Sequence, residues 1–479
     1  MMDYHLKIPG AVSTNQYIGV TSPWDDSLLG RVEVADRAAV NRALETAAAL
    51  YADRDGWLPL AERLAILERA AGIMSARKEE LAREAAREGG KPLIDSRIEA
   101  ARAIDSVKSC IEHMRQHGGT VVPMRLNTAS AGRIAFTQKE PIGPVIAVSA
   151  FNHPLNLIAH QVAPAVAAGC PVIVKPAQNT PLSCFRFVDI LREAGLPDAW
   201  CQPLVTASRD DATALVSDKR VAFFSFIGSA RVGWQLRSAL APGARAALEH
   251  GGAAPVIVAA DADMDAVAPA LLKGGFYHAG QVCVSVQRVF VHRDVIDALL
   301  GRLVPMAGAL RVGDPLSEET EVGPLISAAE VARIDEWVQE AVAAGARLAT
   351  GGAPLSGNCY RPTILVDPPE EVRVSREEIF GPVICLYAYD EADEAITRAN
   401  AVPFAFQAAV FTASIDAAMQ AYARLRASAV MINDHTAFRV DWMPFAGLGV
   451  SGLGVGGIPY TLEDMQIEKM MVIKSPKII

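Results

Sequence analysis

The residue whose type and setting best fit covalent chemistry is Cys283, within Phe276-Tyr277-His278-Ala279-Gly280-Gln281-Val282-Cys283-Val284-Ser285. A thiolate attacks electrophilic carbon, so a cysteine held where it can ionise is a nucleophile. A lone mid-chain cysteine is more often a small buried hydrophobe, and its neighbours have to argue otherwise. Gly280 permits a turn without a Cβ clash. The stretch joins a helix expected over 266–277 to a strand expected over 284–291, the kind of junction that mounts catalytic groups on rigid elements. Three further groups qualify. Val172-Ile173-Val174-Lys175-Pro176 reads as a buried strand ending in a lysine, at the end of the strand where open α/β sheets bind ligands. Phe226-Ile227-Gly228-Ser229-Ala230-Arg231-Val232-Gly233 reads as strand, glycine turn and helix start, which offers backbone N–H groups to a pyrophosphate, though it lacks the full GxGxxG spacing. Leu248-Glu249-His250-Gly251-Gly252 sets a carboxylate after an apolar approach, where partial desolvation raises its pKa into the range of a general base.

The chain that has to position these groups has 479 residues, which implies two or three domains. With 51% hydrophobic and 21% charged residues it has the composition of a folded globular protein. A net charge of -9 and the lack of any dense basic run argue against nucleic-acid binding. The N-terminus has no basic region leading into an apolar one, and the apolar stretch 141–174 is broken by Asn152, His153, Pro154, Asn156, His160 and Pro164, so neither a secretory signal nor a membrane span is expected. Seven widely spaced cysteines without a CxxC pair fit a reducing cytoplasm with no disulfide framework and no metal site.

Amphipathic helices are expected over 36–51, 60–87 and, after Gly89-Gly90-Lys91-Pro92, over 95–117. Residues 120–140 alternate like an exposed two-stranded excursion, and the tail at 466–474 has a pattern able to pair with it. From 141 to about 261, short apolar strands (145–149, 172–175, 222–227, 256–260) alternate with helices (159–168, 185–193, 230–240). That alternation means a parallel sheet covered on both faces. A second alternation follows over 264–430, with strands at 284–291, 383–389, 408–411 and 430–433. The fold class is therefore α/β, with two doubly wound parallel-sheet domains and a small β arm. The expected division is 1–119 with 141–250, then 251–440, with 120–140 and 455–479 as the arm.

Together these stretches resemble the NAD(P)-dependent aldehyde dehydrogenase superfamily over essentially the whole chain. The matching motifs are Phe151-Asn152-His153-Pro154-Leu155, Val174-Lys175-Pro176-Ala177, Phe226-Ile227-Gly228-Ser229, Leu248-Glu249-His250-Gly251-Gly252, Gly280-Gln281-Val282-Cys283, Glu378-Ile379-Phe380-Gly381-Pro382 and Pro444-Phe445-Ala446-Gly447 leading to Ser451-Gly452. The resemblance implies a Rossmann-like cofactor domain, a catalytic domain and an oligomerisation arm. It makes Cys283 the nucleophile that forms a thiohemiacetal with the aldehyde, Asn152 and the Cys283 backbone N–H the oxyanion donors, and Glu249 the base that activates water to hydrolyse the thioester. It assigns NAD or NADP as cofactor, with Lys175 at the adenine ribose, Gly228 and Ser229 at the pyrophosphate, and Glu378 and Phe380 around the nicotinamide ribose.

Departures from the pattern carry their own expectations. Many NAD-preferring relatives have Glu three positions after the motif lysine, whereas this chain has Gln178, which removes a repulsion toward a 2′-phosphate without adding a cation. The usual Lys after Glu-x-Gly-Gly is Ala253, and Gly449 and Val455-Gly456 replace a lysine and an Arg-Glu pair. Arg102, His153 and Arg439 are candidates to converge on the substrate mouth, which suggests a small anionic or hydroxylated aldehyde. The weighed alternatives are a coenzyme A-acylating relative, disfavoured by the retained Glu249; a cofactor-independent thiol esterase, which has no use for Lys175, Ser229 and Glu378; and a catalytically silent binding protein. The resemblance also implies a homodimer or homotetramer through the arm.

Overall fold

A computed structural model describes residues 2–116 and 118–478. The expected helix end at 117 and the outermost residues of the 1–119 and 455–479 spans lie outside the described residues.

Two large sheets organise the described chain. The first has six strands in the order Gly452–Leu453, Arg245–Glu249, Phe223–Ile227, Val145–Val148, Val172–Lys175 and Cys201–Pro203, all parallel except the first. Its strands are short and apolar because both faces are covered. Val145, Ala147, Val172 and Val174 face a core shared with the helices Leu60–Ala76, Leu93–Gln116 and Asn156–Ala168, while Ile146 and Ile173 face a core shared with Arg37–Ala52. The strand period of two thus distributes one sequence between two cores. The second sheet has seven strands in the order Arg347–Thr350, Thr363–Val366, Val383–Tyr389, Val286–His292, Ala254–Val258, Gln407–Phe411 and Ala429–Ile432, parallel except for the first. It encloses a single core with the helices Met264–Phe276, Ile296–Ala309 and Ala328–Ala343. Each sheet supplies one wall of the site described below.

The remaining strands are peripheral. Gln466–Lys474 pairs antiparallel with Arg133–Pro141, which also pairs with Val121–Val122, so the tail and the excursion form a three-stranded arm. Near the N-terminus, Leu28–Ala35 is flanked by Met2–Tyr4 and Tyr17–Thr21. No described helix is long and apolar enough to cross a membrane.

The structure departs from the sequence reading in three places. The helix expected over 60–87 is two, Leu60–Ala76 and Lys78–Gly89, divided at Arg77 (φ -106°, ψ 16°). The second piece packs along Leu93–Gln116, so the apolar stripe continues after the helix axis has turned. The strand expected over 256–260 as the last of the first sheet is Ala254–Val258, which lies in the second sheet between Val286–His292 and Gln407–Phe411; Arg245–Glu249 takes its expected place. Residues 455–465 do not join the arm. They carry the helix Ile458–Asp464, whose Ile458 and Leu462 are buried against the first core, and the arm strand starts only at Gln466.

Candidate active site

Cys283 follows the helix Met264–Phe276, whose N-terminus is capped by Asp263 accepting from the Asp265 N–H. The chain then passes through three successive left-handed residues, His278 (φ 48°), Ala279 (φ 54°) and Gly280 (φ 69°), before the strand Val286–His292. Only glycine adopts this conformation freely, so the first two positions are strained. At Gly280 a Cβ would lie 2.0 Å from the Gly381 carbonyl oxygen, so the turn and the close approach both require glycine. Gln281 holds the strained turn in place. Its side-chain amide donates to the Pro324 carbonyl (3.2 Å) and accepts from the Ile326 N–H (3.0 Å).

The backbone carbonyl of Gln281 also accepts from the side-chain amide of Asn152 at 2.8 Å. Asn152 has two N–H groups. One anchors the side chain to the loop that carries Cys283, and the other makes no hydrogen bond among the described residues. Asn152 is itself held by the start of the helix Asn156–Ala168, where Glu99 accepts from the Leu155 N–H (2.9 Å) and the Asn156 N–H (3.0 Å). The second oxygen of Glu99 pairs with Lys91, and both side chains are fully buried.

Glu249 ends the strand Arg245–Glu249 and sits beside the strand Gly452–Leu453. A Cβ on Gly456 would come within 2.0 Å of its carboxylate, so the departure at Val455-Gly456 leaves the room this side chain occupies. Burial raises the pKa of Glu249, and the nearby Arg439 opposes that rise. Burial pushes the Cys283 thiol up to about 12, while Arg439 and the residue's own backbone N–H pull it down. The resting sulfur is therefore protonated at neutral pH.

Cys283, Asn152 and Glu249 line one cavity of about 710 Å³ together with Gly228, Ser229, Glu378, Phe380, Arg102, His153 and Arg439. This volume is that of a small-molecule site. On the cofactor side, Ser229 precedes the helix Ala230–Ser238 and makes no side-chain cap hydrogen bond, so its hydroxyl and the first turn's N–H groups face the cavity unspent. Glu378 accepts from the Gly252 N–H at 3.2 Å, and burial raises its pKa to about 8. Phe380 meets Phe151 edge-on with centroids 5.8 Å apart. Free helix-start donors, a carboxylate and a neutral ring face suit a dinucleotide. Lys175 closes its strand and is partly desolvated, which lowers its pKa, but neither it nor Gln178 is among the described residues lining this cavity. Gln178 is exposed and reaches only the Thr206 carbonyl, at 3.5 Å.

The three residues expected to form a basic clamp, Arg102, His153 and Arg439, all line the cavity. Burial and the neighbouring Lys91 and Arg102 hold the His153 pKa well below its ordinary value, so it enters the cavity as a neutral ring, with Tyr277 Oη 3.4 Å from Nε2. Arg102 reaches the wall, but its guanidinium is engaged in a two-pronged hydrogen bond to Asp441 (2.7 and 3.0 Å). Arg439 lies with its guanidinium 3.4 Å over the Phe445 ring. Sequence reading passes over Asp441, whose partners Arg102, His160 and Asn156 lie hundreds of residues away. It also passes over Glu330 and Arg333, which line the cavity from the helix Ala328–Ala343. No local motif marks any of them.

Comparison with known proteins agrees with the geometry. The profile of the aldehyde dehydrogenase family matches residues 11–471. A 3-sulfolactaldehyde dehydrogenase of Priestia aryabhattai is 36% identical over 471 residues, spanning 98% of both chains. The solved structure of aldehyde dehydrogenase 21 from Physcomitrella patens, in complex with the reaction product succinate, superposes with a TM-score of 0.95 at 34% identity and covers 100% of this chain and 99% of its own. A glyceraldehyde-3-phosphate dehydrogenase from Methanocaldococcus jannaschii complexed with NADP superposes with a TM-score of 0.91 at 33% identity, covering 96% of this chain and 100% of its own. With a strained loop presenting a cysteine, an anchored asparagine and a half-buried glutamate on one cavity, and with a family match along nearly its entire length, this chain belongs to the aldehyde dehydrogenase family.

Proposed function

We propose that this enzyme oxidises a small polar or anionic aldehyde to the carboxylic acid with NAD(P), using Cys283 as nucleophile and Glu249 as base. The supporting observation is that Cys283, Asn152 and Glu249, remote in sequence, line one cavity beside the unspent Ser229 hydroxyl and the free N–H groups that open the helix Ala230–Ser238. The sulfur of Cys283 gives up its proton to solvent water and bonds to the aldehyde carbon. The carbonyl oxygen takes up the electron pair and is received by the free N–H of Asn152 and the backbone N–H of Cys283; each such donor contributes about 10²–10³ in rate. The chemistry that a bound nicotinamide supplies is acceptance of a hydride. Gly228, Ser229, Glu378 and Phe380 would hold that group, and Lys175 and Gln178 would face its adenosine end. Once the carbon is oxidised, the acyl group rests on Cys283 as a thioester. Glu249 then removes a proton from water, the hydroxide adds to the acyl carbon, the C–S bond breaks to release the acid, and the proton held by Glu249 returns to the sulfur to restore the thiol. The retained Glu249 favours hydrolysis over transfer to coenzyme A.

In the same reading, the unit built on the six-stranded sheet binds the cofactor and the unit built on the seven-stranded sheet carries Cys283. The three-stranded arm joins subunits into a dimer or tetramer. The neutral, exposed Gln178 admits NADP as well as NAD. Seven free cysteines suit a reducing cytoplasm. The test is reduction of NAD and NADP across aldehydes bearing anionic, hydroxyl and aliphatic groups. Cys283→Ala abolishes turnover, and Glu249→Gln leaves a burst of one equivalent of reduced cofactor followed by a slow phase. Turnover that survives Cys283→Ala contradicts the reading.

A further inference from the structure

Asp441 does not line the cavity, yet it is bonded to much of the wall that does. It is buried, with its side chain 3% exposed. It accepts from Arg102, from His160 Nε2 at 2.7 Å and from Asn156 Nδ2 at 3.3 Å, and Arg439 Nε stands 3.8 Å away, beyond hydrogen-bond distance. Arg102, His160, Asn156 and Arg439 all face the cavity. Two guanidinium groups therefore share one buried carboxylate, and the trio carries one uncompensated positive charge beside the bound substrate.

From this arrangement we infer that Asp441, a residue the substrate does not touch, determines substrate charge: it fits the pocket to a single negative charge, a carboxylate or sulfonate, over a doubly charged phosphate or a neutral end group. The inference rests on the aldehyde dehydrogenase reading above and names the substrate class within it. A monoanion brings the balance to two cations and two anions, whereas a dianion leaves one negative charge unmatched in a desolvated space and a neutral group leaves Arg439 unmatched. The other titratable groups facing this wall do not close the balance. Burial favours the neutral forms of His153 and His160, and Glu249, the other carboxylate acting on Arg439, stands farther from it than Asp441 does, with no ion pair between the two among the described residues. Neutral His153 and Tyr277 remain as hydrogen-bonding partners for a hydroxyl on the same substrate.

The test uses the full-length enzyme with cofactor and four aldehydes of equal chain length, ending in carboxylate, sulfonate, phosphate or primary amide, at pH 8, where the phosphate is a dianion. The wild type should favour carboxylate and sulfonate over both others by about tenfold or more in kcat/KM, expressed mainly in KM. Asp441→Asn keeps the shape and raises the local charge by one, so the phosphate-to-sulfonate ratio should rise at least about tenfold. Arg439→Gln reads the same balance from the other side and should collapse the sulfonate-to-amide ratio toward one, which keeps the inference open to refutation if Asp441→Asn does not fold. A wild type that ranks phosphate with or above sulfonate, or ratios unmoved in the variants, overturns the inference. Failure to reduce cofactor with any of the four refutes the underlying reading instead.

Discussion

At Cys283 the surroundings work against ionisation. Burial pushes the thiol up to about 12, and the nearby carboxylates Glu378 and Glu249 push the same way; only Arg439 and the local N–H oppose them. A raised thiol pKa means that the protonated form dominates at neutral pH and that the thiolate fraction grows about tenfold for each pH unit below the pKa. Alkylation of the cofactor-free enzyme by iodoacetamide should therefore speed up continuously from pH 7 to 9, and Arg439→Gln should slow it at every pH by removing the main opposing charge. A plateau reached by pH 8 contradicts this picture of the resting site. Cys283, Asn152 and Glu249 could be picked out of the sequence because each sits in a short contiguous motif, and one cavity brings the three together. Asp441 was not, because its role comes from contacts with Arg102 and His160 that only folding creates.

Among the elements, the long helix Leu93–Gln116 and the helix Asn156–Ala168 matter most, because a buried carboxylate near the start of the first holds the start of the second. Glu99 accepts from the two N–H groups that open Asn156–Ala168, and Lys91 neutralises it. The turn carrying Asn152 immediately precedes those N–H groups, so a side chain on the cavity wall is held in place by a carboxylate that does not line the cavity. Glu99→Gln keeps the acceptor but strands a buried ammonium, and losing one partner of such a pair costs about 3–5 kcal/mol. Chemical denaturation should show a loss of that order. Adding Lys91→Met to Glu99→Gln should recover much of it, and an unchanged midpoint in Glu99→Gln alone rules out the pair's role. The helices over 36–51 and 95–117 were readable because each buries one long stripe. The break at Arg77 was not, since an amphipathic pattern continues smoothly through a change of axis. Adjacent strands in sequence likewise do not reveal which sheet they join, which is why Ala254–Val258 was expected in the first sheet and lies in the second.

Over the whole molecule, what stays unpaired is as informative as what is packed. The arm strand Gln466–Lys474 is the outer strand of its sheet, and along it Met470, Met471, Val472 and Ile473 are 55%, 53%, 47% and 45% exposed. On the seven-stranded sheet, Ala429–Ile432 is likewise an outer strand, and the nearby helix Ile415–Arg424 shows Ile415, Met419 and Tyr422 exposed at 73%, 57% and 62%, one helical face at i, i+4 and i+7. Exposed apolar strand edges of this length invite pairing, and proteins that stay monomeric blunt them with charge or proline. Lys469 and Lys474 bracket the arm stretch without interrupting it. A two-fold assembly of two copies of the chain would bring an arm edge and a sheet edge together twice over. Light scattering on the eluted protein should give a multiple of the 51.0 kDa chain mass at micromolar concentration. Met471→Lys combined with Ile473→Lys places two charges on one face of the edge strand and should shift the species toward the single-chain mass. A wild type that elutes at single-chain mass shows that these edges are tolerated in isolation and that the arm has another use.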